Sequence, residues 1–188
     1  HWGAKRTLRA FAIVLASTWA LEWIGSSTGI PFGTYSYTDV LQPQLAHVPL
    51  HIPPAWFMML PPSWAIAASI TKGRMGIGFV VISALAFTAW DLFLDPQMVA
   101  WEYWVWHEPG LYYGIPVSNY LGWFLSAALV TALVRPTTLP IRPLIVVYAI
   151  TLFLSSVGLF FFWNLPGPAL WGAMGMGLFL ALAIYRSQ

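Results

Sequence analysis

The chain contains no cysteine. That excludes a disulfide framework, a thiolate metal site and a cysteine nucleophile, and it leaves no thiol from which a redox compartment could be read. Charge is also scarce. Asp, Glu, Lys and Arg make up 7% of the 188 residues, whereas a soluble domain carries about a quarter. So few charges cannot cover a water-facing surface. The four histidines, His1, His47, His51 and His107, all lie outside the long apolar runs. A haem or chlorophyll ligated in a bundle core is therefore not expected. His47 and His51 stand four apart, a spacing that suits a metal only on a helix, and Pro49 between them disfavours one. A metal site is not expected. What the chain has in quantity is apolar surface: 59% hydrophobic residues and a mean hydropathy of +0.72. These describe an integral membrane protein.

Six apolar runs follow one another: 7–25, 53–71, 75–94, 116–134, 143–163 and 166–185. Each is about 20 residues, enough to cross a hydrocarbon core of roughly 30 Å as a helix. The expected architecture is an all-α bundle of six transmembrane helices forming one domain over residues 1–188. The first run resembles a signal peptide at its basic start. However, Trp19, Glu22 and Trp23 suit an h-region poorly, and the run is read as a retained helix. Residues 26–52 are rich in Gly, Pro, Tyr and Thr, and GIPFGTYSYT within them predicts a short hairpin or a re-entrant segment. Prolines 53, 54, 61 and 62 predict a kinked or broken start to the second helix.

The charges sort themselves on this frame. Lys5, Arg6, Arg9, Lys72, Arg74, Arg135, Arg142 and Arg186 fall on one side, and Glu22, Asp39, Asp91, Asp95, Glu102 and Glu108 at or towards the other. The positive-inside rule then places both termini in the cytoplasm, for a multi-pass protein of the inner membrane. The basic residues form short juxtamembrane clusters, suited to topology and lipid headgroups rather than to nucleic acid.

The stretch from Trp90 to Trp123 organises the chain. It carries Asp91, Asp95, Glu102 and Glu108, a dense set of aromatics and no Lys or Arg. Counting about 1.5 Å per residue from the basic ends of their helices puts Glu22 and Asp91 at one depth, roughly 22 Å in. Asp95 is one turn further out on the same face as Asp91, and Ser118 and Asn119 should reach a similar level. Glu22 and Asp91 are thus expected to approach each other across the first and third helices. Ionisable groups within a span are costly and point to function. A carboxylic acid held neutral can donate a proton, and aromatic faces stabilise a cation. This chemistry suits protonation of an isolated carbon–carbon double bond followed by capture of water. Asp91 is the expected donor, because it lies deeper. Asp95, just before Pro96, is expected to leave the helix, meet water and stay ionised, so that it or Glu22 orients the attacking water. Trp101, Trp104 and Trp106 read as interfacial belt residues. Gly172, Ala173, Gly175 and Gly177 allow close approach of another helix, a partner protein or a flat polyene.

Four motifs occur in order: EWIGSSTGIPFGTYSYTDVLQPQL, VPLHIPPAWFMM, WDLFLDPQMV and GLYYGIPVSNYLGWF. Over about residues 20–125 the chain resembles a family of bacterial and archaeal carotenoid-biosynthesis membrane proteins, which includes carotenoid 1,2-hydratases of the γ-carotene and bisanhydrobacterioruberin type. The resemblance implies addition of water across the terminal C1=C2 bond of an acyclic carotenoid end group, giving a tertiary alcohol without a cofactor. Glu22, Asp91 and Asp95 fall within its motifs, and their catalytic roles follow from the chemistry above. Trp23, Phe32, Tyr35, Tyr37, Trp56, Trp90, Tyr113, Asn119 and Trp123 are the expected substrate-binding residues. WEYWVWHEP is less typical of the family. The other reading is a non-catalytic carotenoid-binding subunit of a larger, for instance photosynthetic, pigment–protein complex. The topology is directly testable. Single cysteines placed beside Arg142 and beside Glu102 should react with an impermeant thiol reagent from opposite sides of the membrane, and labelling from one side would overturn the arrangement.

Overall fold

The computed structural model describes residues 2–187. Six helices occur in chain order: α1 (Ala4–Thr28), α2 (Ile52–Ile70), α3 (Ile77–Ala100), α4 (Val117–Val134), α5 (Ile141–Val157, continued by a π turn over Gly158–Phe162) and α6 (Pro166–Ser187). Short strands fill the long connections: β1 (Tyr35–Tyr37), β2 (Gln44–Leu45), β3 (Val48–Pro49) and β4 (Trp104–Trp106). Five helices are long and apolar enough to cross a membrane, α2 being the exception. The protein is thus a multi-pass helical membrane protein, and the second of the six expected spans differs from the rest. Four prolines, two tryptophans and two serines dilute the apolarity of α2. Its place in the bundle compensates, since α2 packs against α1, α3, α5 and α6 and Trp56 and Trp64 are wholly buried.

The expected break at the start of α2 does not occur. Pro53 and Pro54 occupy the first turn, where the missing N–H groups would have had no helical partner. The expected hairpin also lies elsewhere. Within residues 26–52 the hairpin is β2–β3. The YSY of the predicted segment forms β1 and pairs antiparallel with the distant β4, Tyr35 opposite Trp106 and Tyr37 opposite Trp104.

Charge divides the bundle end from end. The Trp2 indole and the Arg6 guanidinium donate to Thr137 in the α4–α5 connection. Lys72, Arg74 and Arg186 line one cleft at that end, and Arg6, Arg9 and Arg135 line another. Glu22 lies towards the opposite end, beside β1.

The glycines of α6 are not equivalent. A Cβ on Gly172 would sit 2.5 Å from the Phe93 ring, and one on Gly175 would sit 2.9 Å from Leu92 Cδ1, whereas Gly177 faces open space. Gly172 and Gly175 therefore admit α3 side chains, the close approach that small residues provide between membrane helices. Gly172→Ala should drive a methyl into a fully packed ring and lower stability by about 1–3 kcal/mol. Gly177→Ala should not. Thermal unfolding of the two variants in detergent checks the contrast.

Candidate active site

Each of the three buried carboxyl groups belongs to a helix and is held by donors from other elements. Glu22 of α1 is 4% exposed. Its Oε2 accepts from the hydroxyls of Tyr35 and Tyr37, each at 2.7 Å, and its Oε1 from Trp56 Nε1 at 3.3 Å. The two tyrosines reach it together because side chains alternate along a strand. Tyr35 and Tyr37 turn inward while Ser36 faces out. Burial, followed by the negative charge of Glu22, holds both phenols well above their usual range, so they stay donors.

Asp91 and Asp95 occupy successive turns of α3 and are buried, at 0% and 2% exposure. Asn119, in the first turn of α4, spends both amide hydrogens on them: Nδ2 donates to Asp91 Oδ2 at 2.9 Å and to Asp95 Oδ2. Asn119 was expected to bind substrate, and in the structure its amide joins the two aspartates. Oδ1 of Asp91 has no partner among the described residues.

Glu22, Asp95 and Asn119 open onto one cavity with Phe32, Tyr35, Tyr37, Trp56, Trp90, Trp104, Trp106 and Trp123. About 30 Å³ of it is open to a water-sized sphere, room for roughly two waters. The inner wall is a stack of rings. Trp123 lies nearly parallel to Trp56 at 4.9 Å and to Phe87 at 5.2 Å, with Trp90 edge-on at 6.1 Å. The outer wall is the β1–β4 ribbon, where Tyr37 packs on Trp104 at 5.8 Å and Tyr35 on Trp106 at 5.0 Å. Phe32 wedges between α1 and α4. A Cβ on Gly25 would meet its ring at 2.4 Å and one on Gly122 at 2.7 Å.

Most of the expected residues meet here, with four differences. Asp91 lies outside the cavity lining, and Asp95 faces the space. Glu22 therefore shares the cavity with the outer aspartate rather than the inner one. Trp23 is 43% exposed and stacks on Trp19 at 6.2 Å on the outer surface of α1. Tyr113 is 45% exposed and packs on Tyr112 and against Gly167. Conversely, Trp104 and Trp106, read as belt residues, are buried cavity walls. Their signal was local: YSY and WVW each alternate with period two, as two strands of one ribbon would.

Asp95 is in place because α3 does not stop at Pro96; it runs on to Ala100. A proline there removes the N–H that would bond the Leu92 carbonyl. The Tyr112 hydroxyl supplies it instead, donating to Leu92 O at 2.9 Å. Among the described residues, no group of three or more His, Cys, Asp or Glu side chains could hold a metal ion.

A multi-pass helical membrane protein with buried carboxyl groups beside an aromatic-lined cavity is the class that this fold and site define. Within that class the chain matches the carotenoid biosynthesis protein family over residues 1–184 and belongs to it. It is similar to a bisanhydrobacterioruberin hydratase of Haloarcula japonica, with 30% identity over 132 residues, 69% of this chain and 45% of the relative. The chain thus spans less than half the length of the curated relative it matches. No solved structure matches the chain.

The Tyr112 contact gives a stability test of the site's support. Tyr112→Phe should leave the Leu92 carbonyl unsatisfied and cost about 1–3 kcal/mol, read as a lower unfolding midpoint in detergent. An unchanged midpoint would show that α3 carries Pro96 without this hydroxyl.

Proposed function

We propose that this chain adds water to the terminal C1=C2 bond of an acyclic carotenoid end group. The observation that carries the reading is the placement of Asp95 and Glu22 on one aromatic-walled cavity. Membership of the carotenoid biosynthesis family and similarity to a hydratase support it.

The roles follow from the hydrogen bonds. Two carboxylates facing one amide repel each other, and one proton on the pair removes that repulsion. Asp95 presents this proton to the cavity and is the general acid. Asp91, joined to it through Asn119, is a positioning residue. Glu22 collects three donors, and its Oε1, bonded only to an indole at 3.3 Å, keeps a lone pair for water. In the reaction Asp95 gives its proton to C2 and positive charge develops at C1, facing the Trp56, Trp90 and Trp123 rings. The oxygen of a water attacks C1, and Glu22 takes the proton that this water loses. Return of that proton to the aspartate pair resets the site, and the product is a tertiary alcohol. No metal or organic cofactor enters the scheme. The free space is smaller than an isoprenoid end group, so binding moves the aromatic walls apart. The Trp106 indole N–H, buried and without a partner among the described residues, is a further donor in that wall.

Expression in a host that accumulates acyclic carotenoids tests the reading. The wild-type chain should yield a pigment with a new tertiary hydroxyl. Asp95→Asn should retain bound pigment and lose hydration by about 10²–10⁴-fold, the usual contribution of a general acid. Asp91→Asn should lose less. Pigment bound stoichiometrically and unaltered by the wild-type chain would overturn the enzyme in favour of a binding subunit, and full activity in Asp95→Asn would overturn the acid assignment.

A further inference from the structure

The end of the bundle remote from the carboxyl site holds a second built environment. Arg6 and Arg9 project from the first turns of α1, and Arg135 caps the C-terminus of α4. The three line one cleft with Trp2, Ile13 and Leu133, and about 240 Å³ of it is open to a water-sized sphere. The cleft is held on two sides. The Trp2 indole and the Arg6 guanidinium both donate to Thr137, and Arg6 lies 4.6 Å over the Trp2 ring. Arg135 keeps a left-handed backbone, with φ of 50°, a conformation that disfavours a side chain with a Cβ. Among the described residues, the side chains of Arg9 and Arg135 have no hydrogen-bond or ionic partner, and no carboxylate answers the three charges.

Three guanidiniums round one cleft are a site for a phosphate, which they match with forked N–H donors. We propose that this cleft binds the headgroup phosphate of an anionic phospholipid. A lipid rather than a free anion is favoured because the wall is half apolar: Ile13 and Leu133 continue the cleft towards the membrane-spanning faces of α1 and α4. A basic recess at the end of membrane helices is where such headgroups are held. The site is independent of the reaction proposed above.

Native mass spectrometry of the full chain from mixed micelles of phosphatidylglycerol and phosphatidylcholine tests it. The wild-type chain should retain phosphatidylglycerol selectively. Arg9→Gln with Arg135→Gln should weaken that retention about ten- to thirty-fold, and Lys72→Gln with Arg74→Gln should leave it unchanged. Retention by the wild type should also fall as salt rises, a measurement that needs no variant to fold. Equal retention of the two lipids, insensitivity to salt, or an equal loss in the Lys72 and Arg74 variant would overturn the site. If inorganic phosphate binds with the same dependence on Arg9 and Arg135 while phosphatidylglycerol is not retained, the lipid assignment is overturned in favour of a free anion.

Discussion

A carboxyl group carried into an apolar bundle must find its hydrogen-bond donors in the protein, and this requirement shapes the whole acidic end of the molecule. Glu22 needs three donors, and they come from β1 and α2. Asp91 and Asp95 share the amide of Asn119 from α4. Glu22 thus ties α1 to β1 and α2, and the two aspartates tie α3 to α4. The contacts are directional, so they set depth and rotation where apolar packing alone would tolerate sliding. The aromatic rings then fill the space between, and their close stacking leaves a cavity of water size beside the carboxyl groups.

The backbone faces the same demand. A freed carbonyl in a membrane helix must be satisfied from within the protein. At Pro96 the Tyr112 hydroxyl meets that demand, and α3 keeps Asp95 on a rigid element rather than on a loop. At Gly172 and Gly175 the lack of a side chain lets Phe93 and Leu92 of α3 seat against α6. The helix bearing two of the three acids is therefore held on both flanks, by an amide and a hydroxyl on one and by close apolar packing on the other. A site built on supported helices holds its geometry better than one built on loops.

The two ends of the bundle carry opposite chemistry. One is acidic and aromatic, with buried carboxyl groups beside stacked rings. The other is basic, with Arg6, Arg9 and Arg135 around one cleft. The first fits the family to which the chain belongs. The second needs nothing from that family; it follows from where the arginines stand.

Much of this was legible in the chain. Scarcity of charge made the protein a membrane protein, run length counted its helices, and the sorting of basic from acidic residues ordered its ends, because these properties are set by the solvent and need no partner. The acids were legible for the same reason: an ionisable residue within an apolar run stands out whatever it touches. The partners were not. The pairing of YSY with WVW across about seventy residues, the Asn119 bridge, the inward turn of Trp104 and Trp106, the exclusion of Trp23 and Tyr113, and the order of Asp95 before Asp91 at the cavity all depend on how helices rotate against one another. An aromatic residue near a helix end reads identically whether it faces lipid or a cavity. Depth is additive along a helix and can be counted, whereas azimuth is fixed by contacts with residues far away in the chain, and only the folded bundle decides it.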